Sequence, residues 1–517
     1  TVGVATAGNA GVFAIDDSAI APLKRQLAMQ LVDRLPVAQR AAMLTDAPGV
    51  DVDSSGMAIE PTDERYQRLR GFVSAEYFAR ADEEEIRRLI GILDAPPRDE
   101  PAPAMCFAPD TDPEFVSARD ALLTEVNPIA FQLIGRCNGT ALTPGSNSQG
   151  EPATITYSFV PDGTVVPPDI SLPGGNSILF QWMNSIYGSP AVWQQIFFEE
   201  FDRWGEVHGV TYVYEPNDNG SPTSGLPDQF SASNNGGTLA YNNFPNTGDM
   251  IFDANDTFYN NTSGDSRRLR NTIAHEHGHG RGMLHVCPSD GTKLMEPFIN
   301  TGFLAAQLDD ILNGQRHYGD LFEPNDSIAS PADIGSISDI GIITERDVSI
   351  DDNSDIDYYR ITVTDPADLT IRAIPAAAAY EQGTQTQSCN SGSFTDYNVI
   401  HDLNVTLLTP GGGFLGFADS TNAGEIEELN VQVTTPGDYI ISVNGGSANS
   451  IQLYTLQVTS VPPPFLAASV TNAILPTIVV SGDTIDVAFD LTLNDETLIE
   501  DPVVKYRYDG GAFLEVP

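Results

Sequence analysis

The chain has 517 residues, too many for one hydrophobic core, so three or four domains are expected. Its 71 acidic and 25 basic residues give a net charge of −46, which argues against nucleic acid and anionic membranes as partners because the phosphate term is repulsive. No run approaches the ~18 apolar residues needed to span a bilayer.

Residues 1–135 read as a helical, propeptide-like unit, with an accessory helical domain as the alternative. Leu27, Leu31 and Leu35 share a helical face within Leu23 to Leu35, Val37 to Leu44 continues the pattern, and Glu83 to Leu93 opens with an acidic turn. A proline-rich linker from Ala95 to Pro103 leads to Met105-Cys106-Phe107-Ala108-Pro109-Asp110.

Residues 136–320 mix strands and helices, an α+β pattern. Ala153 to Val160, Gly209 to Tyr214, Asn235 to Tyr241 and Gly248 to Asp253 read as strands. Ala191 to Trp204 is an amphipathic helix with Trp193, Ile196, Phe197, Phe201 and Trp204 on one face. Ser266 to Gly282 and Leu304 to Tyr318 are two more helices. From 321 to 460 the pattern becomes short alternating strands between Gly, Asp and Asn turns, as in an all-β sandwich. After the linker at Val461 to Phe465, residues 466–517 form a partial β segment with strand Thr484 to Leu493 and a turn at Tyr508-Asp-Gly-Gly. The fold class is therefore multidomain: helical, then α+β, then all-β.

Chemistry concentrates at His275-Glu-His-Gly-His279-Gly-Arg-Gly282-Met-Leu-His285. Two histidines four apart lie on one helix face and can grip a metal. Glu276, beside the first, can take a proton from an attacking water. Gly282 can stop the helix with φ > 0, so that the chain doubles back and brings in His285. Three histidines with an open fourth position are the arrangement of catalytic zinc. The four cysteines, at 106, 137, 287 and 389, allow one or two disulfides whose pairing the sequence leaves open. Low lysine content and Asn/Asp/Gly/Ser/Thr-rich later domains fit an exported, secreted protein.

This segment resembles the metzincin zinc endopeptidases, and among them the matrixins in a bacterial form. The resemblance rests on the eleven-residue signature, on Leu294-Met295-Glu296-Pro297, on Gln307-Leu-Asp309-Asp310-Ile311 followed by Tyr318-Gly319, and on two segments, 236–241 and 244–253. It implies one catalytic zinc on His275, His279 and His285, with Glu276 as general base and Met295 as the floor beneath the metal. It makes Leu239, Ala240 and Tyr241 the sheet edge that binds an extended protein or peptide substrate, with Pro297 lining the next pocket. Asp309 and Asp310 would anchor the Met-turn and the mature N-terminus, unless they only form a solvated helix face. Tyr241 and Ile251 stand where matrixins place histidines of a second zinc, so no structural zinc is expected. Asp253 and Asp256 are candidate calcium ligands or an ordinary acidic turn.

Cys106-Phe-Ala-Pro109-Asp110 resembles the matrixin cysteine switch, in which a propeptide thiolate blocks the metal; a disulfide to Cys137 and a plain buried thiol are the alternatives. Residues 321–460 resemble the pre-peptidase C-terminal domain of secreted proteases, which is often removed on maturation. Glu323, Asn325, Asp326, Asp355 and Asp357 are candidate calcium ligands within it. The expectation is a secreted, monomeric zinc endopeptidase made as a zymogen, with structural Ca2+. The competing one is a calcium-binding extracellular adhesion protein with an inactive metalloprotease unit.

Overall fold

The computed structural model describes residues 68–74, 83–93, 104–123 and, with short gaps, 133–463, together with strands at 468–474, 488–493, 504–506 and 514–516. The helices expected at 23–35 and 37–44 lie outside the described residues.

Helix α1 (Glu83–Leu93), strand β1 (Ala104–Phe107) and helix α2 (Pro113–Leu123) come first. Strand β2 (Ala153–Phe159) opens the α+β unit, followed by α3 (Leu179–Tyr187), α4 (Pro190–Gly205), β3 (Val210–Tyr214), β4 (Gln229–Ser233), β5 (Thr238–Asn242) and β6 (Met250–Asp253). These strands form one sheet in the order β1-β5-β6-β4-β2-β3. The β3, β2, β4 and β6 strands run parallel, whereas β5 is antiparallel to β6 and β1 antiparallel to β5.

The two faces of the sheet bury different partners, as the period-two alternation of a strand requires. Met250 and Phe252 join Trp193, Phe197 and Phe201 of α4 in one core. Ile251 and Tyr241 point the other way, into a second core with Leu69, Ile86, Leu89 and Phe115. Tyr241 and Ile251 thus form part of the apolar seat for the N-terminal helices. Helix α4 holds its apolar stripe through Trp193, Phe197, Phe201 and Trp204, each at most 2 % exposed, and full burial of such a side chain stabilises by about 1.5–3 kcal/mol.

Helix α5 (Ser263–Gly280) lies against α4, and Trp204 Nε1–H donates to Ala274 O at 3.1 Å. Its first residues, Gly264, Asp265 and Ser266, have left-handed backbones, so the regular helix starts at Arg267. Strand β7 (Val286–Cys287) and α6 (Leu308–Tyr318) complete the unit.

A β-sandwich follows. It contains β8 (Ala332–Ile337), β9 (Gly341–Ile350), β10 (Asp357–Val363), β11 (Ala367–Pro375), β12 (Ala379–Thr384), β13 (Ser393–Asp396), β14 (Asn404–Leu408), β15 (Phe414–Ala418), β16 (Glu427–Val433), β17 (Gly437–Asn444) and β18 (Gln452–Val461). One sheet runs β8-β10-β17-β14-β15 and the other β9-β18-β11-β16. Alternate residues such as Tyr359, Ile361 and Val363 fill the space between them. Strands β12 and β13 belong to neither sheet. They form an arm that leaves the sandwich and pairs with β7 of the α+β unit. In the last segment, 468–474 pairs with 488–493 and 504–506 with 514–516, both antiparallel; the turn at Tyr508 lies outside the described residues.

Candidate metal centre and cleft

Helix periodicity stacks His275 over His279 on α5. The helix ends at Gly280, and Gly282 at φ 101° turns the chain back. A Cβ on Gly282 would stand 2.3 Å from the carbonyl oxygen of Gly135, so this turn admits only glycine. His285 is thereby delivered to the helix face. The three Nε2 atoms converge, 3.0 Å apart for His275 and His279, 3.3 Å for His275 and His285, and 3.2 Å for His279 and His285.

The other ring nitrogens show what these atoms are for. His275 Nδ1–H donates to Leu294 O at 2.7 Å, His279 Nδ1–H to Met283 O at 2.7 Å, and His285 Nδ1–H to Gln385 Oε1 at 2.8 Å. Each Nε2 is therefore the unprotonated nitrogen of its ring, and the three face one another in a buried place. A cation between them satisfies all three. Burial, then the neighbouring His285, takes the His275 ring down to about 3, and burial also holds His279 well below its usual value. Neutral imidazoles are the ligand form. The residues present fit zinc: three neutral imidazole nitrogens close enough to share one ion.

Glu276 is fully buried, and burial pushes its carboxyl up to about 8. Its Oε1 accepts the backbone N–H of Cys106 at 3.1 Å. Met295 packs against Gly278 of α5, where a Cβ would stand 2.4 Å from its Sδ. Asp310 clamps this turn, its carboxylate accepting the N–H groups of Leu294 (2.8 Å), Met295 (3.1 Å) and Gln307 (2.8 Å). Asp309 faces the arm in this chain. It accepts Tyr380 O–H from the arm at 2.8 Å and Asn313 Nδ2–H at 3.0 Å. Both aspartates are buried, so neither forms a solvated face.

The edge expected to bind substrate is covered. Strand β1 lies antiparallel on β5, with Met105 opposite Tyr241, Cys106 opposite Ala240 and Phe107 opposite Thr238. On its other side, Phe107 N–H donates to Pro297 O at 3.1 Å, and Ile299 N–H donates to Phe107 O at 3.1 Å. Leu239, Ala240, Tyr241 and Pro297 are thus brought together around one extended segment. A cavity of about 510 Å³ lies beside it, lined by Val116, Pro297, Ile299, Gln385 and Cys389 among others.

Cys106 reaches the cleft, as the switch resemblance implies. Its thiol, however, has Glu276 as its neighbour and is not gathered with the three histidines. Burial, with Glu276 adding to it, raises the thiol above its usual range. The alternative pairing of Cys106 with Cys137 is overturned: Cys287 bonds Cys389, and neither Cys106 nor Cys137 forms a disulfide.

The remaining candidates divide. Asp253 Oδ1 accepts Asn255 N–H, and Asp256 caps a short turn by accepting Phe258 N–H. Among the described residues they join no metal-like cluster. Glu323, Asp326 and Asp355 do converge, each offering an oxygen within 4.8 Å of the others. The side-chain amide of Asn325, a fully buried residue, and Oδ1 of both Asp355 and Asp357 have no hydrogen-bond partner among the described residues. Burial and neighbouring acids push Glu323 up to about 9 and Asp355 up to about 8.

Sequence reasoning missed Gln385 and Tyr380, which reach the centre from the arm. The available signal was the cysteines: Cys287 follows His285 by two residues, and Cys389 follows Gln385 by four.

Residues 194–319 match the model of the matrixin family. Among solved structures, the chain is similar to the pre-peptidase C-terminal domain of collagenase from Bacillus anthracis, at 14% identity over 25% of this chain and 96% of that chain, with a TM-score of 0.17. No curated protein matches the chain. The matrixin match runs from α4 through the histidine signature and Met295 to the end of α6. The chain therefore carries a matrixin-like metalloprotease domain over residues 194–319.

Proposed function

We propose that the protein is a secreted zinc endopeptidase made as a zymogen, with β1 as the blocking segment. One observation carries the reading: three Nε2 atoms converge on the helix that also carries a buried carboxylate, Glu276, in a cleft whose edge strand already holds an extended peptide. His275, His279 and His285 would hold zinc, which would supply Lewis acidity at the reacting carbonyl. The chain's own residues do the rest. β5 and the 297–299 segment hold the substrate backbone extended on both sides. Glu276 takes the proton of the attacking water and passes it to the leaving amine.

In the zymogen, β1 fills the lane that substrate needs, and the Cys106 N–H ties up the base. Among the described residues no helix is long and apolar enough to cross a membrane. A structural calcium at Glu323, Asp326 and Asp355 fits the orphaned oxygens of Asp355, Asp357 and Asn325.

The test is casein hydrolysis by the processed protein, with and without a zinc chelator, beside Glu276→Gln. Chelator should abolish cleavage and zinc restore it. The variant should bind zinc as the wild type does and lose at least roughly 10²-fold in rate. Wild-type rates in Glu276→Gln would remove the proposed base, and a protein that binds calcium but never cleaves would favour the adhesion reading.

A further inference from the structure

Two of the three histidines meet backbone carbonyls of the matrixin-like domain, and the third meets a side chain from outside it. His275 and His279 stand on a rigid helix, and their Nδ1–H groups meet carbonyls of Leu294 and Met283. His285 stands beyond the glycine turn, where no helix fixes its ring. Its Nδ1–H meets a side chain 100 residues further on, Gln385.

The geometry points to Gln385 as a positioning residue of the metal centre, supplied by the β-sandwich arm. This inference rests on the zinc reading above. Three features converge on it. First, β7 and β12 pair antiparallel, with Val286 opposite Thr384 and Cys287 opposite Gly383. Extending that register by one residue sets Gln385 opposite His285. Second, the Cys287–Cys389 disulfide fastens the arm two residues beyond the ligand. Third, Tyr380 O–H on the same arm donates to Asp309, next to the Asp310 that clamps the Met295 turn. The arm is therefore held at several points around one histidine.

The chemistry follows from the amide oxygen. Gln385 Oε1 accepts Nδ1–H, which fixes the proton on that nitrogen and leaves the Nε2 lone pair aimed at the other two. Without this acceptor the His285 ring can rotate or take the other tautomer, and Nε2–H then faces the metal position. The arm of the sandwich is thus part of the ligand support.

The test uses the full chain and reads zinc affinity by competition with a chromogenic chelator. Gln385→Met keeps the volume but removes the acceptor; Gln385→Glu keeps an acceptor at nearly the same place. The methionine variant should bind zinc roughly 10–100-fold more weakly, while the glutamate variant stays near wild type. The cobalt-loaded forms should show the same split in their visible absorption. Melting of the metal-free proteins, read alongside, should be alike for all three. Gln385→Met binding as tightly as wild type would overturn the inference, as would equal losses in both variants. A wild type that takes up no zinc would instead overturn the metal reading beneath it.

Discussion

The backbone N–H of Cys106 donates to Glu276 Oε1 at 3.1 Å, so the chain's own peptide holds the carboxylate that the chemistry requires. The hydrogen bond belongs to β1, whose hold on the cleft is mainly apolar and backbone-paired. Phe107 is fully buried against Phe115 at 6.1 Å between ring centroids, and both its N–H and C=O are bonded to the 297–299 segment. Phe107→Ala should cost about 3–5 kcal/mol of docking. That shifts the balance between covered and open clefts by roughly 100-fold or more. Unprocessed Phe107→Ala should therefore cleave a short fluorogenic peptide at least roughly tenfold faster than unprocessed wild type. Cys106→Ser keeps the backbone bond and should stay nearly as latent. The opposite ranking, with the serine variant active and the alanine variant silent, would place the block in the thiol and not in the strand.

Gly282 should tolerate no side chain. Its φ of 101° strains any L-residue, and an added Cβ would meet the Gly135 carbonyl oxygen at 2.3 Å. Strain and overpacking together should cost Gly282→Ala about 2–5 kcal/mol. Because His285 lies three residues on, zinc affinity should fall with stability. A melting curve and a zinc titration matching wild type would show that the turn is not set by this residue.

These two cases mark what was legible in advance. The histidine spacing and Gly282 are short-range facts: 3.6 residues per turn and the sterics of one backbone angle decide them. The alternating strands and the α4 stripe were legible for the same reason, since periodicity is local. The arm was not. Its strands sit inside a run that reads as ordinary sandwich, and its partner β7 is two residues long and about 100 residues upstream. Nothing in the residues around Gln385 marks that register. Four cysteines allow three ways of making two bridges, so the one constraint that reveals the arm is ambiguous until the fold is known.

The Cys287–Cys389 bridge should matter to stability because it closes a loop with a sequence separation of 102 residues. Loops of that size gain about 2–5 kcal/mol from closure. The Cys287→Ser, Cys389→Ser double variant should melt several degrees below wild type, and reductant should lower the wild type toward it without moving the variant. Identical melting of both proteins, with and without reductant, would mean that the arm is held by its other contacts alone.

Asp309 and Glu296 should give the fold a pH dependence that runs opposite to acid denaturation. Burial, then the neighbouring Asp310, pushes Asp309 up to about 7, and burial pushes Glu296 up to about 7. Carboxylates in the unfolded chain titrate near 4. The folded state therefore binds more protons than the unfolded state between about pH 4 and 7. Their contribution to stability is complete below about pH 4 and is lost as pH rises through about 7. Asp309→Asn removes the titrating group while keeping an acceptor for Tyr380. Comparing it with wild type cancels the histidines, whose lowered values act in the other sense. The stability difference should move in favour of the variant between pH 5 and pH 8, by about 1–3 kcal/mol. Chemical denaturation of both proteins at the two pH values reads it directly. A difference that stays flat with pH, or moves toward wild type, would show that Asp309 is ionised throughout and that Tyr380 and Asn313 compensate its burial.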